Sequence, residues 1–249
     1  MGIRLCVLGS GSSGNSTYVG TDTTHVLIDA GFSGKETARR LGEIDFDIAT
    51  LNGVCVSHEH NDHTAGLKVL HNRHKIPLYG NSGTVAAVGR DPKWQEIHWN
   101  VFTTGSPFTI GDLTIEPFSV PHDAYEPVGF VISSNGIRVG IATDLGMATH
   151  LIRDRLRTCQ AIVLESNHDE RLLQEAPRPW HLKQRILGRQ GHLSNRSAAE
   201  ILREIAGPTL KMVFLAHLSE DCNREDLALQ TSRRILDEEG HHLSYSVIY

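Results

Sequence analysis

Apolar residues in this chain gather into short runs of four to seven, cut off from one another by glycine, serine, asparagine and aspartate. "IRLCVLG" (3–9), "STYVG" (16–20) and "HVLIDAG" (25–31) are three such runs, and each predicts a strand. "SGKETARRLGEI" follows with Ser33 and Glu36 in capping-box spacing, which predicts a helix. "GVCVS" (53–57) predicts a buried strand and "TAGLKVLHNRH" (64–74) a helix after it. "PFTIGDLTIEPF" predicts a hairpin turning at Gly111-Asp112, and "VGFVISSNGIRVGIATD" a second turning near Asn135-Gly136. In the latter, Ile137, Val139 and Ile141 alternate with other residues and give one buried face. "AIVLES" (161–166), "KMVFLAH" (211–217) and "LSYSVIY" (243–249) complete the strands, and 195–206 and 223–239 have helical spacing. Strands in runs, with helices between and after, predict two mixed sheets packed together with helices outside. There is no repeat, low-complexity tract or linker; "EAPRPW" (175–180) reads as a loop, and residues 1–249 as a single domain.

Composition narrows the class. The chain has 249 residues, 39% of them hydrophobic, enough for a substantial core. No apolar run reaches the ~18 residues of a membrane span, so no membrane partner is expected. "MGIRLCVLGSG" runs straight into a strand without the apolar core and cleavage site of a signal peptide. Cys6, Cys55, Cys159 and Cys222 are scattered and form no CxxC pair, which predicts a reduced, cytoplasmic protein. The net charge of -5 argues against an indiscriminate nucleic-acid binder. It conceals an acid-free stretch, 176–199, that carries Arg178, Lys183, Arg185, Arg189 and Arg196 with His181 and His192 among them.

The chemistry is densest in "SHEHNDHTAG" (57–66). His58 and His60 are two apart, so in extended chain both point to one side and can reach one cation. Asp62 and His63 follow where the chain turns toward a helix, and can point to a second. Imidazoles with a carboxylate suit zinc, with manganese or iron as alternatives. Two ions ~3.5–4 Å apart need further ligands. Three apolar strands end in one each: His122 in "SVPHD", Asp144 in "GIATD" and His217 in "VFLAHLS".

"LIDAG", "SHEHNDH", "VPHD", "ATD", "GHLSN" and "LAHLS", in this order and over nearly the whole chain, resemble the metallo-β-lactamase superfamily. The opening "GSGSSGNS" and the pair "GHLSN" and "LAHLS" look most like the YycJ/WalJ-type branch, related to RNase Z and RNase J. The resemblance implies an αββα sandwich with a dinuclear site. It implies that His58, His60 and His122 hold one metal, that Asp62, His63 and His217 hold the other, and that Asp144 bridges both. Asp29 of "LIDAG" would be a buried support. At 249 residues there is no room for the large inserted domain of RNase J, nor is there an insertion like the tRNA-grasping arm of RNase Z. Flavodiiron-type relatives usually carry Glu where this chain has His60, which favours hydrolysis over redox chemistry.

Two ions bring the pKa of a bridging water from ~15.7 to near ~7, and Asp62 and Asp144 can orient it. Such a nucleophile attacks lactams, thioesters, lactones or phosphodiesters alike, so the surroundings must choose. The basic run chooses phosphate. Arg185, Arg189 and a helix start at Ser194 or Asn195 make an anion site, with His192 between them. Neighbouring cations are expected to hold the His192 pKa down, and in the resembled nucleases a histidine so placed assists at the phosphate and leaving oxygen. Trp180 after Pro179 reads as packing more than base stacking, and "GSGSSGNS" as a tight turn donating N–H groups to a phosphate, since it lacks the P-loop lysine. The expectation is a metal-dependent phosphodiesterase on nucleic acid, DNA favoured over RNA; the resemblance implies a 5′-to-3′ DNA exonuclease serving repair. A small-molecule hydrolase of the same fold is the rival enzyme reading, and a non-catalytic metal-stabilised module the third.

Overall fold

The structure, a computed structural model, describes residues 2–94, 97–237 and 244–247. It contains two mixed sheets with helices in their connections. Strands β1 (Arg4–Gly9), β2 (Ser16–Gly20), β3 (His25–Ile28), β4 (Gly53–Cys55), β5 (Leu78–Asn81) and β6 (Trp99–Phe102) lie side by side in chain order. β1 to β3 pair antiparallel and β3 to β6 parallel. The parallel crossovers carry α1 (Gly34–Gly42), α2 (Asn61–Thr64), α3 (Leu67–His74) and α4 (Ser82–Val88). The second sheet runs from β7 (Phe108–Ile110) through β8 (Leu113–Ser119), β9 (Val128–Ser134), β10 (Ile137–Ala142), β11 (Ala161–Glu165) and β12 (Met212–Ala216) to β13 (Ser244–Val247), again in order. β10 to β13 are parallel. Their connections hold α5 (His150–Arg157), then α6 (Glu170–Glu175), α7 (Trp180–Leu187) and α8 (Asn195–Ile205), then α9 (Glu225–Asp237).

Residues Met1–Pro117, Ala124–Val128 and Ile132–Ile137 form one compact unit, and Phe118–Asp123, Gly129–Val131 and Arg138–Tyr249 a second. Each has its own core. Tyr18, Leu27, Leu41, Val54, Leu67 and Leu70 are buried together in the first; Val131, Ile152, Leu164, Ala198, Leu202 and Leu215 in the second. β4 is buried along its whole length, as a short strand with parallel neighbours must be, so its three residues are all apolar or glycine.

The predicted hairpins are present. Ile110 faces Leu113 around Gly111 at φ 55°, and Asn135 and Gly136 both have positive φ, as a type I′ turn requires. Ser33 caps α1 by accepting from the Glu36 N–H, but Glu36 completes no box: its carboxylate is taken by Arg39 and Arg40. The helix expected over 64–74 begins earlier, at Asn61, and breaks before Leu67, where Gly66 N–H donates to the Ala30 carbonyl. The stretch read as a loop narrows to 176–179, because Glu175 closes α6 and Trp180 opens α7. Residues 238–239 of the last expected helix, and 243, 248 and 249 of the last expected strand, lie outside the described residues.

Candidate metal centre

In the first unit, β3 and β4 end side by side and each releases the chain into a turn. Asp29, the residue after β3, has φ 64°, a left-handed conformation that costs a non-glycine residue roughly 1–2 kcal/mol. The cost is offset by what the side chain then meets. One Asp29 oxygen accepts from the Ser57 N–H (2.7 Å); the other accepts from the Ser57 hydroxyl (2.8 Å) and from His63 Nδ1 (2.8 Å). A single proton chain follows. Because the Ser57 hydroxyl hydrogen goes to Asp29, His58 Nδ1, 3.0 Å from that hydroxyl, must be the donor to it. Both His58 and His63 therefore carry their proton on Nδ1 and keep the Nε2 lone pair. The His58 ring centroid lies 4.5 Å from that of His60 and 4.1 Å from that of His63.

The opening loop braces the same turn. The Asn15 amide nitrogen reaches Asp62 Oδ2 (3.2 Å) and His63 Nε2 (3.0 Å), and its backbone N–H donates to the Asp62 carbonyl (2.7 Å). Gly31 N–H donates to the Asn15 carbonyl, and a Cβ on Gly31 would sit 1.7 Å from the Asp62 carbonyl oxygen, so only glycine fits between them. Of the N–H groups of this turn, expected at a phosphate, that of Gly11 is given to Asn15 Oδ1 (2.9 Å). Asn15 had no motif signal; an asparagine closing a glycine-serine loop reads as a turn residue.

In the second unit the same device recurs at the carboxyl ends of three parallel strands. Asp144 follows β10 and His217 follows β12, both at φ 57° and both buried. Between them β11 ends in Glu165, which is fully buried. Glu165 Oε1 accepts from His192 Nδ1 (2.7 Å) and His217 Nδ1 (2.8 Å), while Oε2 accepts from the N–H groups of Leu145 (2.9 Å) and Leu193 (3.2 Å). Asp144, Glu165, His192 and His217 each offer a ligand atom, all within 4.8 Å of one another. Asp144 Oδ1 is 3.5 Å from His217 Nε2 and 3.8 Å from His122 Nε2, and His122 Nδ1 is 3.3 Å from the Gly191 carbonyl. Sequence reading missed Glu165. "LES" is an ordinary strand end, and nothing in its spacing shows that the carboxylate turns back onto two histidines.

Electrostatics follow from this packing. Burial pushes His122 below its ordinary value, against the opposing pull of Asp144. Burial would raise Glu165, but His192 and His217 outweigh it and hold the carboxyl low. Burial likewise opposes the charge on His192; Glu165 outweighs it and raises the imidazole above its usual value. This corrects the expectation that neighbouring cations depress His192: the acid-free sequence around it lacks the buried carboxylate that contacts it from β11. His168, 1% exposed and with both ring nitrogens buried without a hydrogen-bond partner among the described residues, is pushed by burial down to about 4.

The donor set fits divalent ions. His63, His122 and His217 each hold an oxygen acceptor at Nδ1, which orients Nε2 as the ligand nitrogen, the usual arrangement of metal-binding imidazoles. The expected substrate residues are placed differently. Ser194 caps α8 by accepting from the Ser197 N–H and donates to Glu170, and Asn195 accepts from the Ser166 hydroxyl and exchanges hydrogen bonds with Asn223; both are buried. Arg185 is exposed and ion-paired with Asp123, Arg189 lines a surface hollow, and Trp180 is 65% exposed where packing was expected.

Strand ends that carry histidines and carboxylates, with His63, His122 and His217 each held at Nδ1 by an oxygen, are the arrangement of a metal-dependent hydrolase. A model of the β-lactamase superfamily domain matches residues 24–217, and the chain belongs to that superfamily. It is 37% identical over 244 residues to exodeoxyribonuclease YycJ of Bacillus anthracis, covering 96% of this chain and 91% of that one. It is 35% identical over 234 residues to exodeoxyribonuclease WalJ of Streptococcus pneumoniae serotype 2 (93% and 87%). Among solved structures it is similar to the metallo-β-lactamase fold protein YhfI of Bacillus subtilis, with a TM-score of 0.75 at 15% identity over 99% of this chain and 97% of that one.

Proposed function

We propose that the protein is a dinuclear-metal phosphodiesterase that degrades DNA from the 5′ end. In this assignment His58, His60 and His122 hold one ion, Asp62, His63 and His217 the other, and Asp144 both, zinc being the first choice of metal and manganese or iron the alternatives. The ions would supply a nucleophilic hydroxide at neutral pH and Lewis-acid stabilisation of phosphoryl charge. The chain's own residues do the rest. Asp62 and Asp144 orient the attacking water. His192, its side chain 23% exposed, can meet a substrate while its Nδ1 stays on Glu165. With its pKa raised by that carboxylate, it can donate to a non-bridging phosphate oxygen or to the leaving oxygen. Ser194 and Asn195 fix the start of α8 and so the position of His192 two residues earlier; Arg185 and Arg189 bind substrate phosphate. We place the protein in the cytoplasm, where its four free cysteines stay reduced.

The observation that carries this reading is the Glu165–His192 pair: a reachable imidazole held at Nδ1 by a buried carboxylate can give a proton to the alkoxide that leaves a phosphodiester, help that the thiolate of a thioester does not need. Similarity to two exodeoxyribonucleases supports DNA as substrate. The test is metal-loaded protein incubated with end-labelled single- and double-stranded DNA and RNA. Mononucleotides released stepwise from the 5′ end of DNA are expected. Intact polymer of every kind, with full metal content, would overturn the reading.

A further inference from the structure

Arg185 lies in the last turn of α7, and the chain runs from there through Gly188, Arg189, Gln190 and Gly191 to His192. That loop is held at both ends. Gly188 N–H donates to the Arg185 carbonyl, Gly191 N–H to the Gly188 carbonyl, and His192 N–H to the Ile186 carbonyl. A Cβ on Gly146 would lie 2.5 Å from the Arg189 carbonyl carbon, so the loop backbone rests directly on the turn after Asp144. Asp123, Arg185, Gly188, Arg189 and Gln190 line a hollow of 520 Å³.

The charges in this hollow are unequal. Arg185 Nε and Nη2 both hold Asp123 Oδ2, at 2.6 and 2.5 Å. Asp123 Oδ1 is 3.3 Å from His122 Nε2. Arg189 has no carboxylate partner among the described residues. The other arginines of the basic run do have one: Arg178 pairs with Asp221 and Arg196 with Glu200. An unneutralised guanidinium in a concave, rigid setting, beside a second held only by an exposed pair, is built to receive an anion.

We propose that this hollow is a phosphate subsite for the nucleic-acid substrate, with Arg189 as its standing cation and the Asp123–Arg185 pair as a latch that the substrate phosphate opens by taking Arg185 from Asp123. The proposal rests on the phosphodiesterase reading and adds a location and a competitor. Asp123 is then an internal anion occupying the substrate's place, and removing its charge strengthens binding. A merely structural ion pair predicts no such gain. The phosphate is either the 5′-terminal group or one within the backbone.

The experiment is fluorescence anisotropy of labelled oligonucleotides ending in 5′-phosphate or 5′-hydroxyl, in chelator so that nothing is cleaved. Asp123→Asn should tighten binding about 1.5- to 5-fold, the range of an exposed ion pair released, and Gln190→Arg should tighten it too, which keeps the test alive if Asp123→Asn does not fold. Arg189→Gln should weaken binding roughly tenfold or more, the worth of a hydrogen bond to a charged group, and lower the salt slope by about one. Arg171→Gln, an exposed arginine on α6, makes the same charge change elsewhere and should alter nothing. Loss confined to the 5′-phosphorylated oligonucleotide identifies the terminal phosphate; equal loss on both identifies the backbone. Arg189→Gln indistinguishable from Arg171→Gln, Asp123→Asn binding no tighter than wild type, or no binding by the chelated wild type overturns the proposal. Hydrolysis of bis(4-nitrophenyl) phosphate by the metal-loaded wild type is scored separately; its absence beside the expected binding pattern would refute the phosphodiesterase reading and leave the subsite standing.

Discussion

Glu165→Gln is the most informative single change, because the two shapes are nearly identical and only proton bookkeeping differs. Glu165 accepts four hydrogen bonds, two at each oxygen. Glutamine can accept at one end only. If its NH2 replaces Oε2, it points at the N–H groups of Leu145 and Leu193, donor against donor in a fully buried place. If its NH2 replaces Oε1, it faces His192 and His217. Each ring must then accept at Nδ1 and move its proton to Nε2, which in His217 removes the lone pair a metal needs. The charge-assisted bonds from two imidazoles are also lost, at ~1.5–3 kcal/mol each, so the metal-free protein should lose about 3–6 kcal/mol. Metal affinity should fall roughly 10–100-fold. Thermal unfolding of the apo-protein and zinc competition against a chromogenic chelator measure the two effects. Wild-type stability with metal affinity within a factor of about two, against that expectation, would refute the account of Glu165 as the group that sets both tautomers.

Asp144→Ala should lose activity and lower metal content below the roughly two ions per chain expected of the wild type; elemental analysis checks it. His192→Ala should keep its metal and lose turnover by ~10²–10⁴, with a smaller loss on a nitrophenyl ester, whose leaving group needs no proton. Because Glu165 raises His192, the wild-type alkaline limb of kcat/KM should fall above the ordinary imidazole pKa and be missing in that variant. His168, at about 4 when folded and near 6.5 when unfolded, takes up its proton first in the unfolded chain. Apo-protein stability should therefore fall as pH drops from 6.5 to 4, by up to ~3 kcal/mol. His168→Gln should flatten that fall in pH-dependent denaturant titrations; an equal fall in both would refute it.

Both sheets were legible because their strands are short apolar runs punctuated by turn residues, and the hairpins because Gly111 and Asn135-Gly136 demand particular backbone angles. The ligand candidates were legible because histidine and aspartate stand where apolar strands stop. What could not be read is how such residues are aimed. Asp29, Asp144 and His217 share a left-handed backbone that no sequence pattern encodes for aspartate or histidine. Glu165 and Asn15 act by long-range hydrogen bonds, 27 and 48 positions away from His192 and His63. The direction of the His192 pKa shift was misjudged for the same reason: the residues adjacent in sequence are cationic, while the one adjacent in space is a carboxylate.

The central claim is that two ions, held by this ligand set, cleave phosphodiesters. Stepwise addition of metal to the apo-protein, with release of nucleotides from 5′-labelled DNA read at each step, tests it directly. Activity should rise to a plateau at about two equivalents, and in the Asp144→Ala protein no amount of metal should restore it. A plateau at one equivalent, or full activity in the Asp144→Ala protein, would contradict the account.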